Sequence, residues 1–161
     1  MNIIVPATDL EKIGTTSIPI PGQSGNYIAG LSVYHELHCL KRIQRYIWLD
    51  HYFPNQTAEE ARLQKLHTDH CIEILRQAIL CHGDTSLFTV RWSEGSRIPR
   101  ADFSNEHTCV DWDALNSWAG ERSVPQETMR SLKHPFLGAA FPDGHSFKLG
   151  AVEDNSKTID P

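Results

Sequence analysis

The segment VYHELHCLKRI, Val33 to Ile43, and the segment KLHTDHCIEI, Lys65 to Ile74, carry the same His-x-x-His-Cys pattern. Four of the nine histidines in the 161-residue chain fall in these two windows, as His35, His38, His67 and His70, with Cys39 and Cys71 closing each copy. At about 100° per residue, His35, His38 and Cys39 lie within about 100° of one another on a helix, and Arg42 and Tyr46 continue the stripe. His67, His70 and Cys71 share a second stripe with Ile74, Ala78 and Cys81 in the same way.

The link between the copies constrains the fold most. Cys39 stands 14 residues before Phe53 and Cys71 stands 14 residues after Thr57, with the turn residues PNQ between. Two helices folded back at this turn bring both motifs to one level, about 21 Å from it at about 1.5 Å per residue. The pattern therefore predicts a mainly α fold built on an antiparallel helical hairpin, in which each helix supplies half of a coordination sphere. Paired ligands at i and i+3 on facing helices are a recurring way to hold a metal inside a bundle.

The donor types narrow the ion. Imidazole suits zinc, copper, iron and nickel, thiolate favours zinc or Cu(I), and a carboxylate-poor set argues against magnesium or calcium. Cys39 and Cys71 fit three roles: metal ligands, a disulfide between the helices, or small buried hydrophobes. Glu36 and Asp69 point off the ligand edge, where they could orient imidazoles. Cys81 and Cys109 each adjoin a histidine, in CHGD and HTC; in an oxidising compartment a bridge between them would tie the C-terminal part to the end of the second long helix.

Elsewhere the chain reads as one domain. Residues 1–30, with three prolines and four glycines, form an extended N-terminal arm with one short strand near Ser17–Pro21. The helical core occupies 31–120, its first helix running from Ser32 to about Asp50 and stopping before Pro54. Thr57 to Glu60 is a capping box that starts the second helix, which ends at Gly83. A β-rich stretch, TSLFTVRW, and a loop follow, then a short helix from Asp111 to Ala119. Residues 121–161 supply a last helix from Val124 to about Lys133, with Ser123 and Gln126 as a second capping box, and a polar tail whose last eight residues are expected to be mobile. The four tryptophans, Trp48, Trp92, Trp112 and Trp118, are assigned to the core or its rim.

Composition excludes several classes. With 15 basic against 20 acidic residues and no basic stripe, nucleic acid is not an expected partner. No run reaches the roughly 18 apolar residues of a membrane span, and the start lacks a leader pattern, so the chain is expected to be neither inserted nor exported. The sequon Asn55-Gln56-Thr57 would matter only in a secretory lumen. There is no phosphate-binding glycine loop or nucleophile elbow, and HELH does not match the His-Glu-x-x-His of zinc proteases.

The stretches GLSVYHELHCLKRI, HTDHCIEILRQAILCHGDTSL and HTCVDWDALNSW together resemble the fungal UstYa-like family, marked by the doubled His-x-x-His-Cys, a Cys-x-x-Asp step and a His-x-Cys-x-Asp segment. The likeness spans about Pro19 to Gly120. It implies oxidative chemistry on a small-molecule or peptide-derived intermediate of secondary metabolism: cyclisation, hydroxylation, desaturation or halogenation. It also implies one or two copper ions held by His35, His38, His67 and His70 with Cys39 and Cys71 beside them, zinc being the alternative. Members of that family commonly carry a membrane-spanning helix, which is not seen in this chain.

Around such a site Tyr46 could relay a proton or electron and Arg42 could pair with a substrate carboxylate. Two rival readings stay open. One is a non-redox cyclase, dehydratase or acyl-transfer enzyme using the histidines with Glu36 or Asp69 as acid and base. The other is a structural zinc module or partner subunit. Homo-oligomerisation is left open by the sequence.

Overall fold

The computed structural model describes residues 2–142. In chain order the elements are β1 (Asn2–Pro6), α1 (Ala7–Lys12), β2 (Asn26–Gly30), α2 (Ser32–Ile47), α3 (Leu49–Tyr52), α4 (Ala58–His82), β3 (Thr89–Arg91), β4 (Arg100–Asp102), α5 (Trp112–Glu121), α6 (Gln126–Ser131), β5 (Lys133–His134) and β6 (Gly138–Ala139). The described residues are mainly helical, and the strands form three separate antiparallel pairs: β1 with β2, β3 with β4, and β5 with β6.

The longest helix begins where its chemistry requires. The Thr57 hydroxyl accepts from the Glu60 backbone N–H at 3.2 Å, and the Glu60 carboxylate accepts from the Thr57 backbone N–H at 2.7 Å, so two otherwise unpaired donors of the first turn of α4 are satisfied. α4 ends at Gly83, whose φ of 48° is left-handed backbone, a conformation that costs glycine no side-chain clash. The first long helix is shorter than expected. It breaks at Trp48, and α3 adds a single turn before Phe53 and Pro54 turn the chain through Asn55 at φ 60°.

The N-terminal residues depart from the extended arm. They hold strand β1 and the one-and-a-half-turn helix α1, while Ser17–Pro21 forms an isolated bridge from Pro19 to Tyr27, flanked by hydrogen bonds from the Ile28 N–H to Ile18 O and from the Ile20 N–H to Asn26 O at 2.9 Å each. β1 also binds the chain beyond α5: the Ile4 N–H donates to Arg122 O at 2.7 Å and the Val124 N–H to Asn2 O at 3.0 Å. That engagement explains why Ser123 forms no capping box. Its backbone bridges to Ile3, and α6 starts only after Pro125. Asp111 does cap α5, accepting from the Ala114 N–H at 3.0 Å. The expectation of a mobile tail concerns residues outside the described range.

Two interiors result. One is apolar: Ile20, Ile28 and Leu132 are buried, with Ile4, Val124 and Met129 packed on them; each fully buried aliphatic side chain contributes about 1.5–3 kcal/mol. The other lies between α2 and α4 and is polar, consisting of Cys39, Cys71, Arg42, Gln64 and Thr68. The tryptophans are not core residues; Trp92 is 73% and Trp48 63% exposed. Trp112 packs on Tyr34 and Trp118 under the Arg122 guanidinium. No helix among the described residues is long and apolar enough to cross a membrane.

Candidate metal centre

Helix α2 packs along α4, and the histidines of the two motifs meet across that contact. The His35 and His70 ring centroids are 5.8 Å apart, and His38 and His67 are also 5.8 Å apart. Facing residues thus run in opposite order, so the helices are antiparallel. Along each helix the spacing is 6.1 Å from His35 to His38 and 6.4 Å from His67 to His70. The four rings make a quadrilateral on the surface of the helix pair, with His35, His38 and His70 exposed and His67 half-buried. Among the described residues, no three His, Cys, Asp or Glu side chains have their donor atoms gathered around one point.

Beneath the rings lie the thiols. Cys39 and Cys71 are both fully buried and free, and Cys39 Sγ sits 3.9 Å from His35 Nε2. Burial, then the hydrogen bond with Cys39, pushes the Cys71 thiol up to about 12, so it keeps its proton at neutral pH. Burial also draws His38 and His67 below the usual imidazole range, the charges of His35 and Arg42 adding to the effect. Their neutral form, the one that binds metals, is therefore favoured.

Arg42 is one turn further along α2 and only 6% exposed. Its Nε and Nη2 have no hydrogen-bond partner among the described residues, and neither has the buried Gln64 Oε1. Its guanidinium lies 5.2 Å from the centre of the Phe53 ring. Sequence periodicity places Arg42 on the motif stripe without revealing this burial. Tyr46 is half-buried and Asp69 exposed.

A groove of about 610 Å³ opens beside the quadrilateral, at the start of α2 and the end of α4. His35 and Glu36 line it from one helix and Ile74, Gln77, Ala78 and Cys81 from the other. Glu36 also lines a smaller recess of about 260 Å³ that reaches His82 and Asp84. Glu36 is thus turned toward α4, whereas Asp69 is not part of either wall. At the rim His107 Nδ1 lies 2.8 Å from Asp84 Oδ2. Asp84 accepts from the Ser86 N–H as well, and these bonds hold its carboxyl down at about 2. Asp84 and His107 each stand near a cysteine, in CHGD and HTC, but 23 positions separate them, so the pair is not legible in the sequence.

A buried thiol pair under four imidazole rings, with a groove beside one of them, is the arrangement that α2 and α4 make of the doubled motif. The chain belongs to the family of mycotoxin biosynthesis proteins typified by UstYa, whose model matches residues 1–122. That match starts earlier than the Pro19 at which the motif resemblance begins.

Curated relatives agree. The chain is 34% identical to the UstYa family oxidase phomYe of Diaporthe leptostromiformis over 74% of its own length and 42% of the relative's. It is 34% identical to the UstYa family oxidase aprY of Aspergillus flavus over 61% of its length and 31% of the relative's. The transacylase cctO of Talaromyces islandicus is 32% identical over 65% of this chain and 38% of the relative. The chain thus spans less than half the length of each of these relatives. No solved structure matches it.

Proposed function

We propose that this chain is a copper-dependent oxidase unit of fungal secondary metabolism, acting on a small-molecule or peptide-derived intermediate. The observation that carries the reading is the quadrilateral of His35, His38, His67 and His70, two rings from each helix at 5.8–6.4 Å. Two imidazoles bound to one ion at about 2 Å hold their centroids roughly 5–6 Å apart, a range that includes the 5.8 Å of the two cross-helix pairs and supports an ion shared by such a pair of rings. Naming of relatives as oxidases supports the redox class.

In this reading the four imidazoles are the ligands of one or two ions. Cys39 and Cys71 lie behind them, and Cys71 enters the ligand set only by losing a proton that burial retains. Bound copper supplies the one-electron chemistry for oxidising a C–H position. The chain does the rest. His35 belongs to both the cluster and the groove wall, so a substrate in the groove lies next to the cluster. Ile74 and Ala78 shield it from water, and Glu36 accepts a hydrogen bond or a released proton. Tyr46 is the candidate relay, and Asp69 a candidate orienting group for the imidazoles.

A second reading rests on the relative named a transacylase: the same histidines, with Glu36 as acid and base, would catalyse acyl transfer without redox change. Oxygen uptake during turnover of a candidate peptide or polyketide intermediate separates the two. The oxidase reading expects uptake matched to product, abolished by a copper chelator and restored by Cu(II). Turnover that survives chelation under anaerobic conditions overturns it and supports acyl transfer.

A further inference from the structure

The segments on either side of the β3–β4 loop run antiparallel well beyond the strands themselves. Thr89 pairs with Asp102, Val90 with Ala101 and Arg91 with Arg100. In the same register the Phe88 and Phe103 rings meet at 5.4 Å and His107 reaches Asp84 at 2.8 Å, while one position out of register Asn105 Nδ2 donates to Leu87 O. Backbone, ring, amide and ion-pair contacts thus zip the two stretches together toward the end of α4.

Cys81 stands three residues before Asp84, in the last turn of α4, and Cys109 two residues after His107. α4 ends at His82 and Gly83 turns the chain, so the cysteines are separated from the last link of the zipper by three residues on one side and two on the other, at most about 11 Å and 7 Å of chain. All four cysteines are free, but Cys81 and Cys109 are exposed whereas Cys39 and Cys71 are buried. A disulfide requires Cα atoms about 4.4–6.8 Å apart, an approach within reach of two short stretches of chain joined at Asp84 and His107.

We propose that Cys81 and Cys109 form a disulfide that locks the 81–109 loop onto the end of α4 and fixes the rim of the groove, where Cys81 is itself a wall residue. In forming it, the two thiols give up two protons and two electrons to an exchanging disulfide such as oxidised glutathione, which is reduced to two thiols. The inference rests on the register alone and does not depend on the metal or the reaction.

The test is peptide mapping of the full chain after equilibration with a glutathione redox pair, with free thiols alkylated under native and then denaturing conditions. The expected result is one linked peptide joining Cys81 to Cys109, with Cys39 and Cys71 alkylated only after denaturation. A reductant should then lower Tm by roughly 10 °C, and should not alter Tm in the Cys81→Ser/Cys109→Ser variant. Alkylation of Cys81 and Cys109 in the oxidised protein, or their linkage to any other cysteine or to a second chain, overturns the proposal.

Discussion

His35 on α2 and His70 on α4 hold their rings 5.8 Å apart across the helix contact, 35 positions apart in sequence. An ion bound by both couples two helices whose shared interior is polar, so binding is linked to folding. Added Cu(II) is expected to raise Tm of the wild-type protein and a chelator to return it. His38→Ala/His70→Ala, which removes one ligand from each helix, is expected to weaken binding by about 100-fold or more and abolish the shift, as read by thermal denaturation with metal titration.

The lowered His38 and His67 values set the sign of a pH effect on the metal-free protein. Below about 6.5 the unfolded chain protonates these imidazoles while the folded one resists. Stability they contribute is thus present above that pH and is lost as pH falls through their lower folded values. Tm measured between pH 7.5 and 5 should decline, and a His38→Gln/His67→Gln variant should decline less.

Arg42 is a buried cation with two donors unpaired among the described residues. An apolar side chain of similar length removes that desolvation cost. Arg42→Met is expected to raise the unfolding free energy by about 1–4 kcal/mol in urea titrations. A loss of stability would show that the guanidinium has a partner in solution.

Thr57 supplies half of the cap on α4. Thr57→Ala should cost about 1 kcal/mol, seen as a lower urea midpoint with unchanged slope, and Thr57→Ser should restore most of it.

The parts of the fold that were legible in sequence are those decided locally. Thr57 with Glu60 and Gly83 delimit α4, and the doubled motif marks two helical faces. The parts that were not legible depend on distant partners. α1 is too short for periodicity and begins after Pro6; Ser123 and Gln126 have a capping pattern, but β1 takes the Ser123 backbone instead. At the site, the nearness of the four histidine rings follows from identical spacing on two helices, while their role as ligands belongs to the proposal. The burial of Arg42, the turn of Glu36 toward α4 and the Asp84–His107 pair were not legible, since each depends on how the helices and the following loop are set against one another.

The central claim is that one imidazole cluster drawn from α2 and α4 binds copper. Metal analysis of purified protein loaded with Cu(II), combined with electron paramagnetic resonance, tests it directly. The account predicts near-stoichiometric copper, one or two ions per chain, with nitrogen hyperfine structure that disappears in His38→Ala/His70→Ala. Preferential retention of zinc with a silent spectrum, or a copper signal unchanged by that double substitution, would contradict it.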